Sequence, residues 1–516
     1  MSPPLHHHHH HQQQQQEEYH GTVQHRAASP LHFNVDVDVD VAASASMESM
    51  DDYDSSPNNA VSMDAAFDRI DMGRFQYNIM LAAGLAFGAD AMEIMLLSFL
   101  STVLRSEWQL TDSQTNFITA SVFAGSFLGT LALGRLGDVW GRRPVFILTA
   151  SLVSIFGLLT AVVQTYRQLV VCRFVVGIGV GGIGVVFDAL AEVMPTARRG
   201  ARLVYTSFFW TFCTLLVPVL AALTLQTAGW RIFVVTCATP CIVSTVVTLW
   251  TVPESPRWLI AKPKNQHCAL YILRKAAATN GKDPYVLFPS GTTLVSSETD
   301  VAAVNQQQVV VPTAETTTFW DLLSPTFRST TLLLWAVWGT YALLYYGTII
   351  AVSQVFSNNN QQDNNNNNNN NNIINSINHR DNNNDNLNDT SDDNGYHFDY
   401  AAMIIASSAE MVGVVLVLFT VDRLGRITAQ TTYFSIGGVV LLALCCLQSV
   451  SSFHNDSQSR RNLLVLLAFL ARMFVYSGSS VVWYVDKEMH KDMLPSPRDV
   501  WSVVVLTFVY VILLSF

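Results

Sequence analysis

Long apolar stretches alternate with short polar segments along most of the chain after residue 75. A helix that crosses a bilayer needs roughly 20 apolar residues, and eleven stretches come close to this length. Backbone polar groups in lipid have to be hydrogen-bonded within the segment, so we expect each stretch to be an α-helix. The eleven predicted spans are residues 77–104, 115–134, 144–164, 168–192, 203–226, 231–252, 330–352, 400–420, 431–450, 462–484 and 500–516.

Composition and charge support a membrane protein with an acidic tail. Half of the residues are hydrophobic and 13% are charged, which is typical of membrane proteins. The net charge is -10, but residues 1–74 alone hold twelve acids and three bases. We expect this low-complexity tail to be disordered, and it contains no early apolar stretch typical of a signal peptide. The run His6–His11 is interpreted as natural low complexity, rather than as a metal site or a tag.

Two short basic segments resemble each other in the two halves of the chain. Gly134–Arg143 is rich in Gly and Arg, and Asp422–Arg426 is a shorter copy of it. Such duplication predicts an internal repeat, as in many secondary transporters. With the N-terminus inside, the inner loops contain eleven Lys and Arg residues and the short outer loops five, which predicts a cytoplasmic N-terminus. The polar segment 253–329 then links the halves on the cytoplasmic side.

The polar loop at 353–399 is rich in Asn and is expected on the outer side. It contains a glycosylation sequon at Asn388, and a second sequon occurs at Asn455. Both fall on predicted outer loops, which agrees with the orientation derived from the basic residues.

Four motifs in order resemble the major facilitator superfamily. They are Ala89–Ser98, Gly134–Arg143, the glycine-rich stretch after Arg173, and Pro253–Leu259. The likeness is to the branch of synaptic vesicle glycoprotein 2 relatives, niacin permeases and sugar-porter-like proteins. It implies an all-α membrane fold of two six-helix halves, here residues 75–252 and 330–516. Only eleven spans are visible, so we expect the second half to be incomplete, with a truncated gene model as the leading explanation.

Charged residues inside spans are costly and often functional. Asp90 and Glu93 lie on one face of the first span, where they could share a proton or hold a cation. Alternatively, they form a structural pair neutralised by Arg173 or by another helix. The resemblance implies proton coupling for Arg173, and Arg472 occupies the related place in the tenth span. The alternative for both arginines is an interfacial, snorkelling side chain.

Other candidate residues are less specific. Glu410 is a lone acid of the eighth span, facing either a cavity or a packing surface. Trp338, Tyr341 and Tyr345 lie near one face of the seventh span, as substrate-cavity aromatics or as part of a membrane-interface belt. The family resemblance implies a conformational latch at the inner ends, in which Asp138 pairs with Arg142 and caps a helix N-terminus. The latch residues are Gly134, Asp138, Gly141, Arg142, Arg143, Glu192, Arg199, Asp422, Arg423, Gly425 and Arg426.

The sequence therefore predicts a secondary transporter in which the halves rock around a site at mid-membrane. The branch implies an organic cation, a nicotinate-like acid or a sugar as the solute, with protons as the candidate coupling ion. Exchange is less favoured, because the antiporter signature of the fifth span is not visible. We expect a monomer in the plasma membrane or an internal vesicle or vacuolar membrane.

Other functions remain open or are disfavoured. A non-transporting regulatory or vesicle membrane protein of the same fold is the alternative. No nucleotide loop, metal cluster or catalytic triad pattern indicates an enzyme. We predict no cofactor and no nucleic-acid partner.

Overall fold

The computed structural model describes residues 60–197, 199–262, 265–296, parts of 323–356, 398–449 and 457–488. Within these residues, nine helical segments are long and apolar enough to cross a membrane, and Tyr341–Ser353 is a shorter apolar helix. The predicted all-helical membrane fold is therefore confirmed. The predicted eleventh span, residues 500–516, lies outside the described residues.

The first half contains six membrane-spanning segments. Helix α1 precedes them, and α5 and α6 form one span that is interrupted at Gly182. The helices are α1 Met63–Ile70, α2 Arg74–Glu107, α3 Asp112–Trp140, α4 Arg142–Thr160, α5 Tyr166–Gly181, α6 Ile183–Glu192, α7 Arg199–Thr224 and α8 Gly229–Thr251.

A short polar segment follows, and then the second half. The segment contains three short helices and one strand: α9 Pro256–Ile260, α10 Gln266–Thr279, α11 Pro284–Leu287 and β2 Thr293–Val295. The described second-half helices are α12 Tyr341–Ser353, α13 Tyr400–Leu424, α14 Arg426–Ser449 and α15 Ser457–Glu488. Below, the inner side is the end of the bundle that carries Gly141 and residues 253–296, and the opposite end is the outer side.

The basic segment Gly134–Arg143 is mostly helical rather than a loop. Helix α3 continues to Trp140 and α4 starts at Arg142, so the turn is a single residue, Gly141. Its φ of 112° is in the region that favours glycine. A side chain there would also collide with the carboxylate of Glu254. The short loop predicted between the second and third spans is thus reduced to one glycine, which is sufficient to reverse the chain.

The prediction of disorder was wrong for residues 60–74. Residues Ala60–Ser62 form strand β1, which pairs in parallel with β2, and α1 and the start of α2 follow. In α1 the buried residues recur with helical spacing, which gives the helix an apolar face despite its acids. This face is Met63, Ala66, Phe67 and Ile70.

Helices α3 and α5 pack closely through glycines. A Cβ atom at Gly125 would lie 2.1 Å from the carbonyl oxygen of Phe174, and one at Gly177 would lie 2.2 Å from that of Val122. Small residues permit such close approach of membrane helices. The glycine-rich stretch after Arg173 therefore permits the close packing of this helix pair.

The two halves meet near the middle of the bundle and on its outer side. On the outer side, Ser353 donates a hydrogen bond to Ser98 at 3.1 Å. The rings of Phe99 and Phe398 lie 5.2 Å apart at the same level. These contacts join α2 of the first half to the seventh and eighth spans of the second.

Candidate functional site

The centre of the first half contains a buried acid pair and one arginine. Arg173 donates to Glu93 at 2.6 Å, and both side chains are at most 5% exposed. Asp90 is also buried, but its Oδ1 has no hydrogen-bond partner among the described residues. Nε and Nη2 of Arg173 likewise lack partners there. The arrangement contains one neutral ion pair beside one unmatched carboxyl group.

The centre of the second half contains a second buried ion pair. Arg472 donates to Glu410 through Nη2 at 2.5 Å and through Nε at 3.2 Å. Its Nη1 donates to the hydroxyl of Ser407 at 3.0 Å. Both charged side chains are at most 1% exposed, so the pair is shielded from water. Arg472 is therefore not an interfacial, snorkelling group, and the sequence alone did not pair it with Glu410.

Three side chains extend this pair across the boundary between the halves. Thr214 of α7 donates to Glu410 Oε2 at 2.8 Å. Tyr345 of α12 lies 3.3 Å from both Glu410 oxygens, and Trp210 of α7 donates to the Tyr345 hydroxyl at 2.5 Å. The carboxylate of Glu410 therefore accepts hydrogen bonds from both halves.

The predicted aromatic residues of the seventh span form a continuous row. The rings of Tyr341 and Tyr345 are stacked 5.9 Å apart, and Trp338 meets Tyr341 edge-on at 5.5 Å. Tyr345 in turn contacts the Trp210 ring at 5.9 Å. Tyr341 and Tyr345 are buried in the interior of the bundle, so neither of them forms part of a lipid-facing aromatic belt.

The predicted inner latch of the first half is largely assembled. Arg142 pairs with Asp138 at 3.1 Å and lies 3.4 Å from Glu192. Arg143 donates instead to backbone carbonyls of residues 249 and 252. Arg199 pairs with Asp64 at 2.7 Å, in the segment that was expected to be disordered. Gly134 lies inside α3 with open space around it, so the structure shows no packing or conformational requirement for glycine there.

The residue that caps α4 is Glu254, which the sequence analysis missed, and not Asp138. Asp138 lies in the last turn of α3 and does not cap a helix N-terminus, so that expectation was wrong. The Glu254 carboxylate caps α4 instead, accepting the N–H groups of Arg142 at 2.7 Å and Arg143 at 3.2 Å. Burial raises the pKa of Glu254, and these hydrogen bonds only partly oppose the effect.

In the second half, α13 and α14 are separated by Gly425 with a φ of 77°, and Arg423 is exposed. The side chains of Asp422 and Arg426 and both sequons, Asn388 and Asn455, lie outside the described residues. Among the residues that are described, no three His, Cys, Asp or Glu side chains are placed to hold a metal ion.

The sequence gives little indication that Trp210 and Thr214 are functional residues. Both lie within an apolar span, where isolated aromatic or hydroxyl residues are ordinary. Glu254 lies two residues after a predicted span and precedes the short helix that Ser255 caps. A carboxylate near a helix start is a capping candidate, but this position pointed to the short helix and not to α4.

Comparisons with known proteins agree with this architecture. Residues 39–364 match the family model described as sugar (and other) transporter. The chain is 30% identical over 451 residues to organic cation/carnitine transporter 7 of Arabidopsis thaliana, covering 84% of this chain and 83% of that protein. It is 28% identical over 425 residues to the synaptic vesicle 2-related protein of Rattus norvegicus, covering 82% and 69%.

Solved structures show the same fold. The partially occluded inward open conformation of the xylose transporter XylE from E. coli aligns with a TM-score of 0.56 at 19% identity. The alignment covers 86% of this chain and 91% of that one. The protein is thus a multi-pass integral membrane protein of the major facilitator fold, and it belongs to the sugar (and other) transporter family.

Proposed function

We propose that this protein is a secondary active transporter that moves a small organic solute by alternating access, with Asp90 as the group that takes up the coupling proton. The observation that carries this proposal is the imbalance of buried charge. Five charged side chains are buried in the described residues: Asp90, Glu93, Arg173, Glu410 and Arg472. Two ion pairs account for four of them, and Asp90 is left over.

An isolated carboxylate in a low-dielectric interior is unstable unless it gains a proton or a cation. Asp90 is therefore suited to take up one positive charge on one side of the membrane and to release it on the other. Arg173 supports this role, because its guanidinium is anchored on Glu93 and still has unused donors. Movement of Arg173 between the two acids would link protonation to a change in helix packing.

Alternating access is supported by the distribution of contacts between the halves. The central bridge of Glu410, Thr214, Tyr345 and Trp210 and the outer contacts near Ser98 join the halves. A solute that enters from the inner side would meet the aromatic row of the seventh span next to Glu410. Rocking about this level would then require the outer contacts to separate.

The solute classes that we propose are an organic cation, a nicotinate-like acid or a sugar. The names of two similar proteins, an organic cation/carnitine transporter and a xylose transporter, support the first and last of these. Aromatic rings favour both flat solutes and organic cations. The unmatched Asp90 favours a cation, or a neutral solute carried together with a proton.

The test is uptake by the purified full chain in proteoliposomes with an imposed pH gradient. Radiolabelled choline, carnitine, nicotinate, glucose and xylose would be screened, with protein-free liposomes as the control. We expect one class to accumulate above equilibrium only when the gradient is present. If no solute moves in either direction, with or without the gradient, the transporter proposal fails and the non-transporting alternative is favoured.

A further inference from the structure

Residues 60–71, which we name the inner clasp, are docked on the inner side of the first half. Strand β1 pairs with β2 in the register Ala60 to Thr293 and Ser62 to Val295. The apolar face of α1 is fully buried against the linker helix α10 and its neighbours. A segment that precedes the first span therefore packs onto the segment that follows the sixth.

Two acids of the inner clasp bind the connection between the fourth and fifth spans. Asp64 accepts hydrogen bonds from Arg199 at 2.7 Å and Arg257 at 2.5 Å. Asp68 accepts from both the backbone N–H and the hydroxyl of Thr196, at 2.6 and 2.5 Å. The inner clasp thus holds the residues that immediately precede α7, the helix that carries Trp210 and Thr214.

The same contacts continue into the inner latch. Arg257, which binds Asp64, also donates to the backbone carbonyl of Glu192 at 3.4 Å. The Glu192 carboxylate contacts Arg142 and accepts a short hydrogen bond from Ser255. One chain of polar contacts therefore runs from Asp64 through Glu192 to the turn between α3 and α4.

We propose that the inner clasp regulates the transport cycle: when docked, it stabilises the arrangement seen here, in which the halves touch on the outer side, and its release favours outer opening. This inference rests on the proposed alternating-access function. Arg199 belongs to the predicted latch, and Asp64 of the inner clasp forms an ion pair with it. While docked, the clasp keeps Arg199 from contacts that would close the inner side.

The exposure of these ion pairs permits release. The carboxylate of Asp64 is 20% exposed, and its arginine partners are 27% and 28% exposed. Partly solvated ion pairs are weak, because water and salt compete for both partners. The buried pair of Glu93 and Arg173 has no such access to water, so the ion pairs of the inner clasp are the more readily broken ones.

A reversible cross-link tests this proposal. Ala60→Cys and Thr293→Cys would be combined in a full chain whose seven native cysteines are replaced by alanine. These positions are strand partners and are partly exposed, and neighbouring strands lie about 4.8 Å apart, within disulfide range. A third substitution, Ser98→Cys, places a reporter thiol at the outer contact between the halves. Its labelling by a membrane-impermeant reagent measures outer opening whether or not a solute is transported.

We expect oxidation of the cross-link to lower the labelling rate of the reporter by at least about fivefold, a typical size for coupling between sites, and reduction to restore it. Failure of the pair to cross-link would contradict the docked arrangement. Equal labelling rates with the cross-link oxidised and reduced would show that docking of the inner clasp does not affect outer opening, and would overturn the proposal. Because labelling needs no solute, a protein that labels as expected but moves nothing would contradict the proposed transport and not the inner clasp.

A second variant tests release without the cross-link. Asp64→Asn with Asp68→Asn should raise reporter labelling at least about fivefold. Asp71→Asn is the matched control. Asp71 lies in the same segment, but its carboxylate is 3.9 Å from Arg202, which is too far for a hydrogen bond. Unchanged labelling in the double variant, or an equal increase in the control, would overturn the proposal.

Discussion

Arg173 donates its hydrogen bond to Glu93 at 2.6 Å and leaves the carboxyl oxygen Oδ1 of Asp90 without a partner. The two acids are three residues apart on one helix, so their spacing does not distinguish them. Their contacts do, because one acid is neutralised within the protein and the other is not. We therefore propose a structural role for Glu93 and the proton-coupling role for Asp90.

Asp90→Asn should abolish accumulation driven by a pH gradient while leaving exchange of labelled for unlabelled solute intact. The amide removes the site that gains and loses a proton but preserves the size of the side chain. Both rates would be measured in proteoliposomes with the solute found in the screen. Asp112→Asn is the control, since Asp112 pairs with Arg105 at the exposed end of its helix. Retained accumulation in Asp90→Asn would assign coupling to another group.

Glu93→Gln should destabilise the protein, because it removes the carboxylate to which the buried Arg173 guanidinium donates. Removing one partner of a buried pair typically costs about 3–5 kcal/mol. Glu93→Gln combined with Arg173→Gln should be less damaging than the single change, since neither member of the ion pair then remains charged. Apparent melting temperatures in detergent would rank the variants. A double variant less stable than the single one would show that the pair has a different energetic role.

The sequence predicted the helices more completely than the side-chain contacts between them. The spans could be found because a bilayer imposes length and apolarity on every crossing segment. Glu410 and Arg472 were each identified, but nothing local relates residues 62 positions apart. The inner clasp was missed because it was grouped with the acidic, low-complexity residues that precede it. The helical spacing of Met63, Phe67 and Ile70 was nevertheless a usable signal for an amphipathic helix.

Gly181→Ala should destabilise the contact between α3 and α5. Its new Cβ atom would lie 2.3 Å from the carbonyl oxygen of Ser126, so the two backbones would have to separate. Overpacking of this kind costs about 1–3 kcal/mol. Gly184→Ala is the matched control, because a Cβ atom there meets nothing within 4 Å. Equal apparent melting temperatures for the two variants would contradict the close packing.

Docking of the inner clasp should be insensitive to pH between about 5 and 8. Burial alone would raise the pKa of Asp64, but hydrogen bonds and charges from Arg199 and Arg257 hold that pKa below its usual value. The resulting stabilisation is fully present above the ordinary aspartate pKa of about 3.9 and is lost as the pH falls through the lowered value.

Amide hydrogen exchange of residues 60–71, corrected for the intrinsic effect of pH, would measure this dependence. Protection should stay constant down to pH of about 5 and fall only in more acidic solution. In Asp64→Asn the acid-dependent loss should be reduced. Loss of protection between pH 8 and 6 in the unmodified chain would show that a group other than Asp64 controls docking.

Thr214→Val should weaken the bridge between the halves. The hydroxyl of Thr214 donates to Glu410, the ion-pair partner of Arg472, across that boundary, and hydrogen bonds to charged groups contribute about 1.5–3 kcal/mol. If the bridge stabilises the arrangement with closed outer contacts, its loss should raise labelling of the Ser98→Cys reporter by roughly tenfold. Thr214→Ser keeps the donor and should label as the parent does. Labelling that rises equally in both variants would show that keeping the hydroxyl does not preserve the bridge, and would remove the hydrogen bond from the mechanism.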